Sequence, residues 1–483
     1  MSNQVPELPP LREFASAAWQ SRPVGQRCKL IAAVRHVLAD AASDFIATSG
    51  NAQRTSPVDT VAAELIPLCD ALQFLAKQGP GILRTRNYGP SGRPIWLWGV
   101  RSQVQRSPWG VVFVLGAWNY PLLLGGVQVA QALAAGNAVL WKPAPGSEPV
   151  CDQFAAALQT VGLPTGLLTV LDSSVATATA ALDAGVDLVV LTGSARTGRV
   201  VLERAAQRLT PAVLELSGSD AVIVSASADL KRAAQAVRFG LTINSGASCI
   251  GPRRLILQDT IADIFVRLLR EELCDSPEVE IHPAARVDAA SLLGDAIARG
   301  GVSCLAPVDP AGLINTGRMR PVIIDHVCPD WPIANSDLFA PVATIQRFAG
   351  LNQAADICNA CRYALAASIF AAPGEARQLA SCLQVGNVTV GDLIVPTADP
   401  RLPFGGRRSS GYGVTRGREG LLQMTTPKVV AVRRGRFAPH LRAVDSRTLP
   451  TLLGALQISH AKRFGGRLRG LWRIIRTSMG SGS

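Results

Sequence analysis

Cys249 ends the segment Asn244-Ser245-Gly246-Ala247-Ser248-Cys249, a loop of small and polar residues. An uncrowded loop suits a thiol nucleophile that a substrate must approach closely. Composition alone does not single it out, because Cys304 in Gly301-Val302-Ser303-Cys304 has similar neighbours. Four other positions set polar groups at the ends of apolar runs. Asn119, in Ala117-Trp118-Asn119-Tyr120-Pro121, offers a neutral amide that donates a hydrogen bond without a proton balance. Lys142, in Trp141-Lys142-Pro143, can meet a ribose or a phosphate. Thr192-Gly193-Ser194-Ala195-Arg196-Thr197-Gly198 is a small-residue turn opening a helical pattern, where backbone N–H groups favour anions. That turn is neither the usual dinucleotide fingerprint nor a P-loop. Glu215, in Glu215-Leu216-Ser217-Gly218, is a carboxylate at the end of an apolar run. The Cys358-x-x-Cys361 pair has no second pair nearby and reads as two thiols on one helix face, so no metal site is expected.

The elements that must hold these groups alternate. Short apolar runs predict strands at Val111–Leu115, Ala138–Trp141, Leu167–Leu171, Val186–Leu191 and Ala212–Leu216. Helical spacing predicts Leu122–Ala135, Glu148–Val161, Ala176–Ala184 and Thr197–Leu209 between them. This alternation argues for an α/β protein with a parallel sheet covered by helices, whose ligands bind at the carboxyl ends of strands. A second alternating region begins with a helix at Asp229–Leu241 and continues through strands at Arg254–Gln258, Pro321–Ile324, Val342–Arg347, Ala366–Phe370 and Asn387–Val390. Helices are expected earlier at Leu30–Ala42 and Val61–Ala76, and Pro94–Val104 reads as a strand that could leave the body as an arm.

The 483 residues are 48% hydrophobic and 17% charged, which suits large buried cores and excludes a disordered chain. No apolar run reaches the roughly 20 residues of a membrane span, and the first 30 residues lack a signal-peptide pattern, so a cytoplasmic body is expected. Ten scattered cysteines suggest free thiols. From Ala431 to Ser483 there are eleven Lys or Arg and one Asp, a net +10 of the chain's +13. No nucleic-acid module accompanies this charge, so nucleic acid is not expected as a partner. On a helical wheel Phe464, Leu468, Leu471, Trp472 and Ile475 share one face, with Lys462, Arg469, Arg473 and Arg476 opposite. That division suits peripheral attachment to an anionic membrane surface, such as the inner face of the cell membrane.

The five polar segments, in their order and spacing, resemble the aldehyde dehydrogenase superfamily, nearest its short fatty-aldehyde-like branch. The likeness spans about Val24 to Lys428 and extends to Leu338-Phe339-Ala340-Pro341-Val342, Tyr363-Ala364-Leu365-Ala366-Ala367-Ser368 and Pro403-Phe404-Gly405-Gly406. It implies a Rossmann-like cofactor domain over residues 1–217, with an arm strand near 92–107, and an α/β catalytic domain over 218–410. A return to the cofactor domain with an oligomerisation strand follows over 411–440, then a basic tail over 441–483. It further implies NAD or NADP as cofactor, an aldehyde as substrate and a homodimer. Cys249 matches the nucleophile, Glu215 the water-activating base and Asn119 the oxyanion-hole amide. Lys142 matches a cofactor-ribose contact, Ser194 with Gly193 a pyrophosphate contact, and Phe339 a wall of the nicotinamide site. Asp337 takes the place of the nicotinamide-ribose carboxylate, and Trp118, Gly198 and Leu216 fall around the cofactor.

Four positions depart from the family pattern: Ala247 stands for a Gln, Ser217 for a Gly, Asp337 for a Glu and Pro145 for a Glu. The lost Glu at Pro145 leaves NADP open beside NAD. Glu148 and His326 carry no functional reading. If the tail meets lipid, a long-chain or otherwise apolar aldehyde is the natural substrate. Two alternatives stand beside oxidation to the acid: an acylating enzyme passing the thioester to coenzyme A, against which Glu215 argues, and a catalytically weak scaffold, which the departures motivate.

Overall fold

The computed structural model describes residues 17–50, 56–441 and 443–479. The start of the N-terminal stretch read for a signal, and the last four residues of the basic tail, lie outside the described residues. Contacts divide the chain into two compact units, one running to Thr85 and resuming over Gln105–Lys428, the other made of Arg86–Val104 and Val429 onward.

The larger unit is built on two sheets. In the first, the strand order is Gly411–Tyr412, Ala212–Leu216, Leu188–Gly193, Val111–Leu115, Ala138–Lys142, Leu168–Val170. All neighbours are parallel except the short Gly411–Tyr412 edge. The chain begins at Val111–Leu115, winds out one side, then crosses to Leu188–Gly193. The order therefore reverses between those two strands, the place where such sheets open a crevice at their carboxyl ends. All five residues of Val111–Leu115 are buried, as a strand covered on both faces requires. The Pro121–Ala135 helix starts with proline at its first turn and stops at Gly136, whose φ of +106° suits the left-handed cap.

The second sheet runs Val302–Ser303, Val322–Asp325, Val342–Phe348, Pro252–Gln258, Asp220–Val224, Ala366–Phe370, Asn387–Val390, parallel except at its first edge. The strand Asp220–Val224 was not anticipated. It starts only four residues after Leu216, across the short Ser217-Gly218-Ser219 link, yet belongs to the other sheet. The helix Pro283–Ala298 was also missed, because its alanine-rich sequence carries little apolar periodicity.

A three-stranded sheet, Arg86–Tyr88 to Val100–Pro108 to Thr425–Arg433, lies mostly in the smaller unit. The expected strand Pro94–Val104 is corrected: Ile95–Leu97 is a 3₁₀ turn and the strand begins at Val100. Gly99 at φ +81° breaks the extended run, and Trp96 and Trp98 are exposed. The tail is two helices, Thr448–His460 and Phe464–Met479, so Lys462 lies in the link between them and not on the helix face assigned to it. They cross at glycine, since a Cβ on Gly454 would meet the Gly470 carbonyl at 2.7 Å and one on Gly470 the Gly454 carbonyl at 2.6 Å. No helix among the described residues is long and apolar enough to cross a membrane.

Candidate active site

The chain leaves the Leu230–Thr242 helix through three residues of positive φ: Asn244 at 48°, Ser245 at 55° and Gly246 at 73°. Two of these are not glycine, and such backbone persists only where its surroundings hold it. A Cβ on Gly246 would come within 2.6 Å of the Pro341 nitrogen, so the loop lies flat against the next segment. The buried Arg253 guanidinium fixes it from below, donating to the carbonyls of Gly246 (2.5 Å), Ser248 (3.1 Å) and Ala340 (2.9 Å). Asn119 fixes it from the side. Its Nδ2 donates to the Ala247 carbonyl at 3.0 Å, and its own carbonyl accepts from Asn244 Nδ2 at 2.8 Å. One N–H of the Asn119 amide is thereby used, and the second is left to donate elsewhere.

Cys249 is partly exposed, with Ile250, Leu365, Ala366 and Phe404 packed around it. Burial pushes its thiol up to about 12, the Glu215 and Asp220 carboxylates add to the shift, and the Arg416 guanidinium opposes it. Cys304, the similar candidate by sequence, is buried in an apolar core cluster and reaches no opening there. Cys358 and Cys361 do not share a helix face: the helix ends at Ala360, and the two thiols join different core clusters. Among the described residues no group of His, Cys, Asp or Glu could hold a metal ion.

Glu215, next to last in the Ala212–Leu216 strand, is buried. Burial raises its pKa, against the Arg416 guanidinium and the Thr415 hydroxyl. Thr415 Oγ1 donates to Oε2 at 2.8 Å, while Oε1 has no partner among the described residues. A carboxylate kept short of donors inside protein is a stronger base than one in water. Thr415 and Arg416 were not singled out from sequence; no local signal marks them, since they reach Glu215 only through folding.

The carboxyl ends of the first sheet gather the remaining predicted residues. Trp118 stacks on His282 at 4.2 Å and lies 5.8 Å from the Phe339 ring. His282 was missed because it begins the unanticipated Pro283–Ala298 helix; burial, then Arg286, lowers its pKa. Lys142 is half-buried, which lowers its pKa against the Asp172 and Glu148 carboxylates. Glu148, which carried no reading, therefore bears on the lysine. Ser194 follows Gly193 and caps the twelve-residue Ala195–Ala206 helix, accepting from Thr197 N at 3.1 Å. Gly198 lets that helix close on Leu216, which a Cβ would meet at 2.9 Å. A helix N-terminus and a lysine-bearing strand end on the carboxyl side of one sheet fit the phosphates and ribose of a dinucleotide.

Two departures from the family pattern meet each other. The Ser217 hydroxyl donates to Asp337 Oδ2, and Tyr363 donates to Oδ1 at 3.0 Å, so two hydroxyls hold the shortened carboxylate.

Residues 12–430 match the family model described as aldehyde dehydrogenase family. The chain is 32% identical over 434 residues to a 4,4'-diapolycopene aldehyde oxidase of Methylomonas sp, covering 88% of this chain and 80% of that one. It is 26% identical over 412 residues to mouse (Mus musculus) aldehyde dehydrogenase family 3 member A2, covering 83% and 82%. Among solved structures, a Mycobacterium tuberculosis aldehyde dehydrogenase complexed with NAD+ superposes with a TM-score of 0.79 at 26% identity, covering 90% and 89%.

Proposed function

From the premise that the chain belongs to the aldehyde dehydrogenase family, we propose that it oxidises an apolar aldehyde to the carboxylic acid through a thioester on Cys249. It is an NAD(P)-dependent oxidoreductase. The observation that carries the site assignment is the Asn119 amide bonded to the Cys249 loop, with the thiol in the field of Glu215.

Cys249 Sγ attacks the carbonyl carbon, and its proton passes to Glu215. The thiol's raised pKa makes that acceptor necessary, because few thiolates form unaided at neutral pH. Charge gathering on the carbonyl oxygen is met by the second Asn119 N–H and by the Cys249 backbone N–H, donors worth about 3–4 kcal/mol each. A bound nicotinamide supplies the hydride acceptor. Ser194 with Gly193, Lys142, and Asp337 with Phe339 and Trp118 are the residues that would hold the cofactor. After Glu215 passes the thiol proton on to solvent, it takes a proton from the water that attacks the thioester, help worth about 10²–10⁴-fold, and the acid leaves as the Cys249 sulfur is released and reprotonated.

The apolar substrate rests on a relative and on the tail, not on the small gap among the buried core residues Leu68, Leu72, Leu75, Val127 and Ala130 that Arg416 borders. That arginine also lies in the field of Glu215 and Cys249. The carotenoid-aldehyde relative agrees with such a substrate. The tail gives further support. Leu452, Leu456, Phe464, Leu471 and Trp472 are exposed across both helices, Trp472 by 70%, with Arg463, Arg467, Arg469, Arg473 and Arg476 among them. Apolar side chains ringed by cations complement an anionic bilayer. Trp472→Ser with Phe464→Ser should abolish flotation on phosphatidylglycerol vesicles; flotation equal to wild type contradicts the assignment. The outer edge of Thr425–Arg433 has no strand partner among the described residues, which supports a homodimer joined along it.

The activity is tested by following nicotinamide reduction over aldehydes of increasing chain length with NAD and NADP. Turnover that favours long apolar chains and is lost in Cys249→Ala is expected. Turnover that survives the substitution refutes the assignment.

A further inference from the structure

We infer that Asp59 and Glu64 are positioning residues that set the oxyanion hole, each holding one of its two sides from a single helical segment. The inference rests on the roles proposed for Asn119 and Cys249.

The segment begins at Ser56, whose hydroxyl caps it by accepting from Asp59 N at 3.1 Å. It runs as an α-helix over Pro57–Thr60, as a π-turn over Val61–Leu65, and as an α-helix again over Ile66–Ile82. In an α-helix, side chains five residues apart point about 140° away from each other. A turn bonded from i to i+5 brings them nearer to one side, and such turns gather at functional sites. Here Asp59 lies just before the turn and Glu64 within it, and their carboxyl groups accept from backbone N–H groups of Asn244 and of Leu122 and Leu123.

Asp59 Oδ2 accepts from the Asn244 backbone N–H at 3.0 Å. Asn244 is the first positive-φ residue of the Cys249 loop and also donates through its side chain to the Asn119 carbonyl. The fully buried Glu64 accepts through Oε2 from Leu122 N at 2.8 Å and Leu123 N at 3.1 Å. Those two N–H groups lie in the first turn of the Pro121–Ala135 helix, three and four residues beyond Asn119. An acidic side chain suits a helix start. One segment thus pins the loop bearing the nucleophile and the helix start bearing the amide, and so sets their separation. Displacing a reacting group by about 1 Å can cost on the order of 10²-fold in rate.

The test uses the full chain with Asp59→Ala, Glu64→Ala, Glu64→Gln and Asn119→Ala, reading kcat, aldehyde KM, cofactor affinity and alkylation of Cys249 by iodoacetamide. Asp59 is only half-buried, so its truncation leaves the fold intact even if Glu64→Ala does not fold. Asp59→Ala and Glu64→Ala should lower kcat by roughly 10- to 100-fold with cofactor affinity unchanged. Glu64→Gln keeps the acceptor oxygen and should restore kcat. In the Asn119→Ala background the Glu64→Ala loss should vanish, because residues acting through one group do not add. Equal losses in both backgrounds, or cofactor affinity falling with kcat, would overturn the inference. Alkylation separates this failure from failure of the enzymatic reading, because it needs no turnover. Asp59→Ala should release the loop and speed labelling of Cys249, and unchanged labelling contradicts the clamp even if no aldehyde is oxidised.

Discussion

Replacing Thr415 by valine should move the acid limb of the kcat profile to higher pH. Glu215 takes part in turnover as the ionised base, so the rate of thioester hydrolysis rises with pH through its pKa. That pKa is already raised, by burial first, with Arg416 and the Thr415 hydroxyl opposing. Valine has the shape of threonine without the donor, and it removes the 2.8 Å bond to Oε2 while Oε1 already lacks a partner among the described residues. The backbone pair between Phe404 and Thr415, at 2.8 and 2.7 Å, is untouched. A hydrogen bond to a charged group contributes about 1.5–3 kcal/mol. At about 1.36 kcal/mol per tenfold, its loss raises the Glu215 pKa further, by a margin worth about 10- to 100-fold in ionised base. On the acid limb the variant should therefore run about 10- to 100-fold slower than wild type and approach it on the plateau. The assay is nicotinamide reduction at saturating aldehyde across the pH range. A limb that stays in place or moves to lower pH refutes the assignment of Glu215, and an equal loss at every pH shows that geometry, not basicity, was changed.

Three further outcomes are expected. Ser217→Gly removes one of the two hydroxyls on Asp337 and should weaken cofactor binding by roughly 1 kcal/mol, about fivefold, in a fluorescence titration; unchanged affinity means Asp337 does not depend on that bond. Burial holds Asp220 up to about 7, against the Ala366 N–H, Arg254 and Arg253. A carboxyl raised on folding contributes stability that is fully present below its unfolded pKa of about 4 and is lost as pH rises through the folded value. Asp220→Asn should therefore gain stability relative to wild type from acid to mildly alkaline pH, by roughly 4 kcal/mol at most, and parallel Tm curves would contradict this. Glu148→Ala removes negative charge beside Lys142 and should improve use of NADP relative to NAD by a few-fold, about the worth of an exposed charge pair; an unchanged cofactor ratio places the 2′ position away from Glu148.

The first sheet was legible because its strands are continuous apolar runs bounded by turn residues. Val111–Leu115 and Ala212–Leu216 carry the bounds expected of them, and Gly136 ends its helix where a left-handed cap is needed. Asn119, Lys142 and Glu215 stood out at the ends of apolar runs, whereas Cys249 was chosen only through the family resemblance; in the structure the Asn119 amide bonds the Cys249 loop and Glu215 lies in the field of the thiol. What holds them was not legible, because it is long-range. Asp59 meets Asn244 across 185 residues, and Ser217 meets Asp337 across 120. No local pattern marks such a pair, and Ser217 and Asp337 each read as a lone departure until their bond is seen. The helix Thr448–His460 was hidden because its glycine seam faces a partner helix, which leaves its leucines outside and gives no buried stripe to read.

Acylation of the Cys249 sulfur is the step on which the proposed chemistry depends. Acid quenching of the enzyme during turnover with cofactor and a long-chain aldehyde, followed by peptide mass spectrometry, reads it. The prediction is an acyl group carried as a thioester on the peptide holding Cys249, absent when cofactor is omitted and absent in Cys249→Ser. Reduced nicotinamide formed with no acyl group on that peptide, or with the acyl group on Cys304, would contradict it.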